Sequence, residues 1–409
     1  MLRQYHPGPL LPNLQNLCWS SYQLAPFATL LITSSLSSLV FEPVEEEAVR
    51  AVLAKVRRQA SGLQLLAFPE AELDVLASLE EDISITICSL TNLTTLDFNY
   101  AHLIPDAFIH LSRLPELTSF SVSLTNRNGD CWKSAEWGGF PALETLDISS
   151  LELLDDMSYP PGFLNSISVA RLTELTMISD VPAHIDDVAE LFSSLGQFSK
   201  LKRLTLMFYD EDADWGDQRL RGSALLPLTN LRSMADFCIE YLPIEITSAE
   251  VRKLAESWPH LQCFTLLPTL DLSYSHLQLE DLALFAKHCL DIEYLNVELE
   301  SPPAGWRYAP NDDRPISNLP RLCLSRSHIS ASVIQPVAEF LADTFPFAKV
   351  FHHLPGWRHT PEDEEAARVL NKIWELKKRL NYPLIKRLRR ERKREKKRKN
   401  RQAKETAAE

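Results

Sequence analysis

A short leucine pattern that recurs along the whole chain limits the possible folds more than any other feature. Residues 90–98 read LTNLTTLDF, with leucine at 90, 93 and 96 and phenylalanine at 98. The pattern L-x-x-L-x-L, with other apolar residues allowed, occurs twelve times between residues 10 and 325. Its leading leucine (isoleucine at 292) falls at 14, 36, 63, 93, 117, 143, 172, 201, 231, 261, 292 and 319. The mean interval is just under 28 residues, too regular for a chance effect of leucine-rich composition.

Segments with helical periodicity lie between these strand-like segments. VEEEAVRAVLAKVRRQ (44–59) alternates apolar and charged residues, and Thr247 precedes Glu250 by three residues, which is a capping box at a helix start. Amphipathic helices are also predicted at 279–289 and 332–345. A strand and a helix in each unit of 20–29 residues are typical of leucine-rich repeats. The pattern therefore predicts an α/β leucine-rich-repeat solenoid (a horseshoe) with a parallel concave sheet and outer helices.

The 409 residues divide into three expected regions. We predict a solenoid of about twelve units over 1–350, a capping helix region over 351–382 and a basic tail over 383–409, largely disordered or solvated helix. Within the second region an apolar stripe with alternating spacings of three and four residues predicts a helix that docks on the last repeat. The stripe consists of Ala366, Val369, Ile373, Leu376 and Leu380.

The charge is divided between an acidic body and a basic end. Residues 371–409 contain 17 Lys or Arg and 5 Asp or Glu, a net charge of +12, while the whole chain carries −13, so residues 1–370 carry −25. Four interpretations of the tail remain open: a nuclear import signal, a nonspecific RNA or DNA arm, a contact with the acidic body, or a solvated helix. Its predicted import or phosphate-binding residues are Lys386, Arg387, Arg389, Arg390, Arg392, Lys393, Arg394, Lys396, Lys397, Arg398, Lys399 and Arg401.

Motifs for catalysis, metal binding and cofactor binding are missing from the sequence. The seven cysteines are scattered without a C-x-x-C pair, which argues against a zinc site and against a disulfide framework. No phosphate-binding loop, dinucleotide-binding motif or nucleophile elbow occurs. The most apolar run, 24–41, contains six Ser or Thr residues, so a membrane-spanning helix is the minor alternative to a repeat strand there. We therefore predict no enzyme activity, no cofactor, no metal and no membrane partner.

Two units at 248–297 carry a family resemblance. SAEVRKLAESWPHLQCFTL and LQLEDLALFAKHCLDIEYLNV resemble the repeats of fungal F-box/leucine-rich-repeat proteins, in which a helix ends in W-P-x-L or H-C-x-x-I/L before a strand. The resemblance implies recognition of a protein substrate for a cullin-type ubiquitin ligase. It also implies a ligase adaptor as partner if an F-box lies upstream. The chain begins directly in a repeat at 11–17, so we expect either a truncated product or an array without the docking module.

The residues between the strand leucines are the expected partner surface, because side chains alternate across a strand. They are mainly small, polar and acidic, which suits a basic or hydroxyl-rich peptide better than nucleic acid; simple solvation of the sheet by Ser and Thr is the alternative. The predicted set is Thr94, Asp97, Asn99, Ser119, Ser121, Glu144, Asp147, Lys202, Arg203, Glu293, Tyr294, Asn296 and Glu298. Insertions at 124–139, at 208–224 and after 300 predict loops on one rim, each with a tryptophan that either binds a partner or packs back on the body.

The sequence thus predicts a non-enzymatic protein-recognition scaffold, of the kind found in the substrate-binding repeats of an F-box-type ubiquitin-ligase subunit. The alternative is a nuclear, nucleic-acid-associated scaffold that acts through the basic tail. Either function places the protein in the nucleus, the cytoplasm or both, with an import receptor or nucleic acid as the partner of the tail.

Overall fold

The structure is a computed structural model. It describes residues 10–21, 24–42, 45–69, 78–98, 102–125, 131–153, 159–179, 185–208, 219–267, 277–309, 316–324, 327, 329–351 and 364–383. These residues form two compact units. The described residues within Met1–Leu220 and Pro227–Leu242 belong to unit 1, and those within Arg221–Leu226 and Pro243–Glu409 belong to unit 2.

Unit 1 contains nine parallel strands that pair in the order in which they occur along the chain. Each strand lies beside the one before it, from β1 to β8 and then β10, and the ladders are parallel throughout. The strands are β1 Asn16–Trp19, β2 Ser38–Phe41, β3 Leu65–Ala67, β4 Thr95–Asp97, β5 Ser119–Thr125, β6 Thr145–Leu153, β7 Glu174–Ser179, β8 Arg203–Phe208 and β10 Asp236–Glu240.

Unit 2 repeats the arrangement with four strands. They are β12 Cys263–Leu267, β13 Tyr294–Val297, β14 Arg321–Cys323 and β15 Lys349–Phe351, again parallel and in chain order. Two short strands, β9 Leu220–Arg221 and β11 Ile244–Glu245, do not belong to this parallel set.

Helices and turns connect successive strands. The helices are Ala25–Ala28, Glu46–Gln59, Glu80–Cys88, Pro105–Ser112, Tyr159–Asn165, Ile185–Leu195, Ser248–Ser257, Leu282–His288, Ile334–Thr344 and 364–383. Short 3-10 turns occur at Cys131–Lys133, Gly222–Asn230, Leu279–Asp281 and Ala331–Val333. The predicted capping box forms, since the Glu250 backbone N–H donates to the Thr247 hydroxyl and the Thr247 N–H donates to the Glu250 carboxylate.

A continuous row of apolar side chains forms the core of each unit. The row in unit 1 consists of Leu17, Leu39, Leu66, Leu96, Phe120, Leu146, Leu175, Leu204 and Phe237, one from each strand and all in register. Phe108 of a connecting helix packs edge-on against Phe120 at 5.8 Å between ring centroids. Phe285 packs against Phe264 in unit 2, with ring centroids 4.6 Å apart and planes tilted by 47°. The helices therefore cover the leucine side of the strands, and each buried leucine contributes about 2 kcal/mol.

Parallel strands alternating with helices at this period make the fold an α/β leucine-rich-repeat solenoid, as the sequence predicted. Thirteen parallel strands occur among the described residues, one more than the leucine pattern indicates. In the additional strand β15, Val350 takes the core position that Leu322 occupies in β14. Residues 24–41 contain a four-residue helix and strand β2, so the minor membrane-span interpretation of that segment is wrong. Across the described residues, no helix is long and apolar enough to cross a membrane.

The helix at 364–383 lies against the last strand region of unit 2. Ala366, Val369 and Ile373 of the predicted apolar stripe are buried, together with Leu370, whereas Leu380 is exposed. Lys377 is almost completely buried, and its Nζ donates to the Ala348 carbonyl at 2.7 Å and to the Pro346 carbonyl at 3.3 Å. Burial lowers the pKa of Lys377 to about 8.

Candidate functional site: the open face of the strands

Strand alternation produces a second face opposite the leucine core, which we call the open face. The first row of this face contains the residue just before each core residue, and the second row contains the residue just after it. In unit 1 the first row includes Thr95, Ser119, Thr145, Glu174 and Arg203. The second row includes Asp97, Ser121, Asp147, Thr176 and Thr205.

Two aspartates flank a serine at the centre of the second row, and we call this group the acidic patch. Asp97, Ser121 and Asp147 lie directly beside one another on β4, β5 and β6. Oδ1 of Asp147 is shielded from solvent, and no described residue forms a hydrogen bond with it. Burial, with a smaller contribution from the charge of Asp97, raises the pKa of Asp147 from 3.8 to about 6. The patch is therefore an acidic surface on which the charge of the Asp147 carboxylate is not neutralised.

The first row is close to charge-neutral where the patch ends. Arg203 on β8 forms an ion pair with Glu174 on β7, the residue beside it in register. Ser119 is half-buried on β5 and carries no charge. Glu174 therefore neutralises the positive charge that Arg203 adds to this otherwise acidic and hydroxyl-rich surface.

The predicted residues of unit 2 differ in how far they reach solvent. Tyr294 is half-buried in the first row of β13, and Asn296 follows in the second row. Asn296 and Glu298 are both only 5% exposed, so they contribute more to the interior than to a surface. Glu293 is exposed but precedes the strand.

Four of the predicted residues stand immediately before a strand, where alternation does not define a face: Thr94, Glu144, Lys202 and Glu293. Thr94 is used internally, because its hydroxyl donates to the Gln64 carbonyl of the preceding repeat at 3.1 Å. Three other hydroxyls at the same point of their repeats do likewise, and we call the set the hydroxyl ladder. Its other members are Ser37 to Gln15, Thr118 to Thr94 and Thr173 to Glu144, with donor–acceptor distances of 3.0 to 3.1 Å. The ladder thus ties four strand entries to the repeat before each of them.

Two groups of predicted residues lie outside the described residues. Asn99 is one, so its place on the predicted partner surface stays a prediction. The twelve basic residues of the tail, from Lys386 to Arg401, are the other.

The sequence analysis did not single out four residues that the register places on the open face. Glu174 compensates Arg203 in unit 1. Arg321, Lys349 and Phe351 lie beside Tyr294 in unit 2. The strand pattern around Arg321 was visible, but the neighbours of Lys349 do not repeat the leucine spacing.

The tryptophans in two of the insertions pack back on the body. Trp132 is 9% exposed and contacts Phe163 at 5.8 Å between ring centroids, while Trp137 donates to the Ser166 carbonyl at 3.0 Å. Gly138 allows this approach, since a Cβ there would lie 2.5 Å from the Ser112 carbonyl oxygen. In the third insertion the Trp306 Nε1 donates to Glu280 at 2.9 Å. The tryptophan of the second insertion, at 215, lies outside the described residues.

Side chains suited to metal binding do not converge in the described part of the chain. No group of three or more His, Cys, Asp or Glu residues there is arranged to hold a metal ion. Burial raises the pKa of the Cys289 thiol to about 12, and its Sγ donates to the Ala255 carbonyl. A thiol in that state is a packing group, because the thiolate is the reactive form.

Comparisons with known proteins give only distant similarity. No protein-family model matches the sequence, and no curated protein matches it. Among solved structures, TLR13 in its complex with ssRNA13 has a TM-score of 0.39 and 14% identity, covering 83% of this chain and 48% of TLR13. A Bacteroides fragilis protein has a TM-score of 0.33 and 12% identity, covering 86% and 78%. This chain therefore spans about half the length of TLR13. The fold assignment rests on the strand order and repeats described above.

Proposed function

We propose that the chain is a non-enzymatic protein-recognition scaffold that binds a basic or hydroxyl-rich segment of a partner protein on the open face of unit 1. The acidic patch is the observation that carries this proposal. Asp147 holds a shielded oxygen without a hydrogen-bond partner among the described residues, and the nearby Asp97 charge opposes its ionisation. A lysine or arginine of a partner would supply the missing donor and offset the repulsion between the two carboxylates.

The surroundings of the patch favour an extended peptide over a compact ligand. Ser121 lies on the strand between the strands of the two aspartates. At a strand spacing of about 4.8 Å the aspartate backbones are therefore roughly 10 Å apart. Thr95, Ser119 and Thr145 add hydroxyl groups in the adjoining row. Those groups can donate to or accept from a peptide backbone.

Binding of a lysine-rich peptide tests the proposal directly. Fluorescence anisotropy of a labelled peptide of alternating lysine and serine should show binding to the full chain that weakens as salt rises. Changing both aspartates (D97N/D147N) should reduce the affinity at least tenfold. The matched control changes two exposed acids on the helix Ile185–Leu195 (D186N/E190Q) and should leave affinity within about twofold. Equal losses in the two variants would show general charge attraction and refute the site.

The finer proposal is that these repeats bind substrates for an F-box-type ubiquitin ligase. Its support is the resemblance of 248–297, where the capped helix Ser248–Ser257 leads through Trp258 into β12. Co-purification of a cullin-ligase adaptor with a chain extended upstream of Met1 tests it. An upstream reading frame without an F-box would contradict it.

The second candidate function is a nuclear scaffold that contacts nucleic acid through the tail. The observation that favours it is the density of charge: the tail has twelve Lys or Arg between 386 and 401. On the same ground we propose nuclear import through this segment. Salt-dependent retention of the full chain on RNA or DNA, lost on deletion of 384–409, tests the first part; nuclear exclusion of the same deletion variant tests the second.

A further inference from the structure

Two cationic side chains lie side by side on the open face of unit 2. Arg321 on β14 and Lys349 on β15 are direct partners in the parallel register, and both are exposed. Neither forms an ion pair within the described residues. Neighbouring strands are about 4.8 Å apart, so both side chains can reach one anionic group. Unit 1 presents the opposite charge on its open face.

An aromatic surface adjoins the two cations. Cζ of Arg321 lies over the Tyr294 ring, 5.0 Å from its centre, which is within the range of a cation–π interaction. The Tyr294 and Phe351 rings are stacked, with centroids 6.4 Å apart and planes inclined by 24°. Cys323 lies between their strands in the second row and is fully buried. Two exposed cations and an apolar surface made by Tyr294 and Phe351 thus occupy three adjacent strands.

We propose that this group is a subsite for an acidic side chain of a bound peptide, with an apolar or aromatic neighbour of that side chain resting on Phe351. The fork of the Arg321 guanidinium matches a carboxylate or phosphate in bidentate geometry, and Lys349 adds a second positive charge. This inference rests on the proposed function, because it takes the open face to be a surface that binds protein segments. It adds a second kind of partner chemistry, anionic rather than basic, in unit 2.

The strands beside the subsite favour a peptide over nucleic acid. A nucleic-acid strand requires a run of cations that follows its phosphates. The first row continues from Arg321 through Tyr294 to Cys263, and neither of these two residues is a lysine or an arginine. Glu293 stands exposed one residue before Tyr294 and would repel a second phosphate. The positive surface is therefore wide enough for one anionic group.

Selection from a displayed random-peptide library on the full chain tests the proposal. We expect two classes of peptide. One is enriched in Asp or Glu next to Phe, Leu or Trp and is lost with R321Q/K349Q; the other is enriched in Lys or Arg and is lost with D97N/D147N. A selected acidic peptide, labelled and titrated by anisotropy, should bind R321Q/K349Q at least tenfold more weakly than the unchanged chain. The variant R321K/K349Q should bind that peptide more tightly than R321Q/K349Q does, since it restores the charge at 321 without the fork.

The outcomes separate this inference from the proposed function. Basic peptides alone would support the scaffold and overturn the acidic subsite. Acidic peptides whose binding survives R321Q/K349Q would overturn the assignment to these residues. A single-stranded RNA oligonucleotide that binds more tightly than the acidic peptide and is lost in R321Q/K349Q would replace the peptide with nucleic acid. Tighter binding of the same peptide with phosphoserine in place of glutamate would identify phosphate as the preferred anion within this proposal. Failure to select any peptide would overturn both proposals. Because both substituted side chains are exposed, an unchanged melting temperature serves as the folding control.

Discussion

Replacing Asp147 by asparagine should stabilise the protein at neutral pH but have little effect near pH 4. Burial and the charge of Asp97 raise the pKa of Asp147 from 3.8 to about 6. The folded state then binds this proton more tightly than the unfolded state does. Stability therefore falls as pH rises from about 4 to about 6, and the full penalty remains above pH 6.

The size of the effect follows from the pKa shift. A shift of about 2 units corresponds to about 3 kcal/mol, since one unit is worth about 1.4 kcal/mol. Asp147 retains partial contact with solvent, which screens the interaction, so we expect about 1–2 kcal/mol. An asparagine keeps the shape of the side chain and removes the charge that opposes burial.

Urea unfolding followed by circular dichroism at pH 4 and pH 7.5 measures this difference. The variant D147N should exceed the unchanged chain by about 1–2 kcal/mol at pH 7.5 and by much less at pH 4. The control E190Q removes an exposed charge from a helix of the same unit and should change stability by less than about 0.5 kcal/mol at either pH. An equal change at both pH values, or a loss of stability at pH 7.5, would refute the electrostatic interpretation of the patch.

Three further predictions concern the rest of the fold. The variant T118V removes the ladder hydrogen bond to Thr94 and should lower the free energy of unfolding by about 1 kcal/mol. The control T145V changes a hydroxyl that has no partner in the described residues and should not lower it. Equal losses in the two variants would count against the ladder. Between pH 8 and 10.5 the folded chain releases the Lys377 proton while the unfolded chain keeps it, so the free energy of unfolding should rise by up to about 3 kcal/mol. Urea titrations of the variant K377M over the same pH range should not show this rise. The variant W132A should cost about 3 kcal/mol and increase hydrogen exchange around Phe163; retention of full protection there would show that Trp132 is not a packing residue.

The leucine spacing was sufficient to predict the repeat fold, because the buried row repeats in sequence as it does in space. The thirteenth strand was missed for a physical reason. Its core position holds a single apolar residue, Val350. The backbone beside it is covered by the helix at 364–383, whose Lys377 and Asn381 side chains donate to the carbonyls of Ala348 and Pro346. Leucine was not required there, and the pattern disappeared.

Residue contacts on the open face depend on register, which the sequence shows only indirectly. Alternation placed Asp97 and Asp147 on one face correctly, since each follows a core leucine directly. It did not reveal that the Thr94 hydroxyl donates to a carbonyl thirty residues earlier in the chain. The pairing of Arg321 with Lys349 was equally hidden, because it exists only once β15 is recognised as a strand.

The order of the strands within unit 1 has a consequence for how the chain reaches its native state. Every strand after β1 pairs with one that the ribosome has already produced. Loop closure over about one repeat length costs little more than closure over a shorter loop, so we expect layers to add one at a time behind the moving ribosome. In growth of this kind each new strand finds its template already synthesised when it emerges.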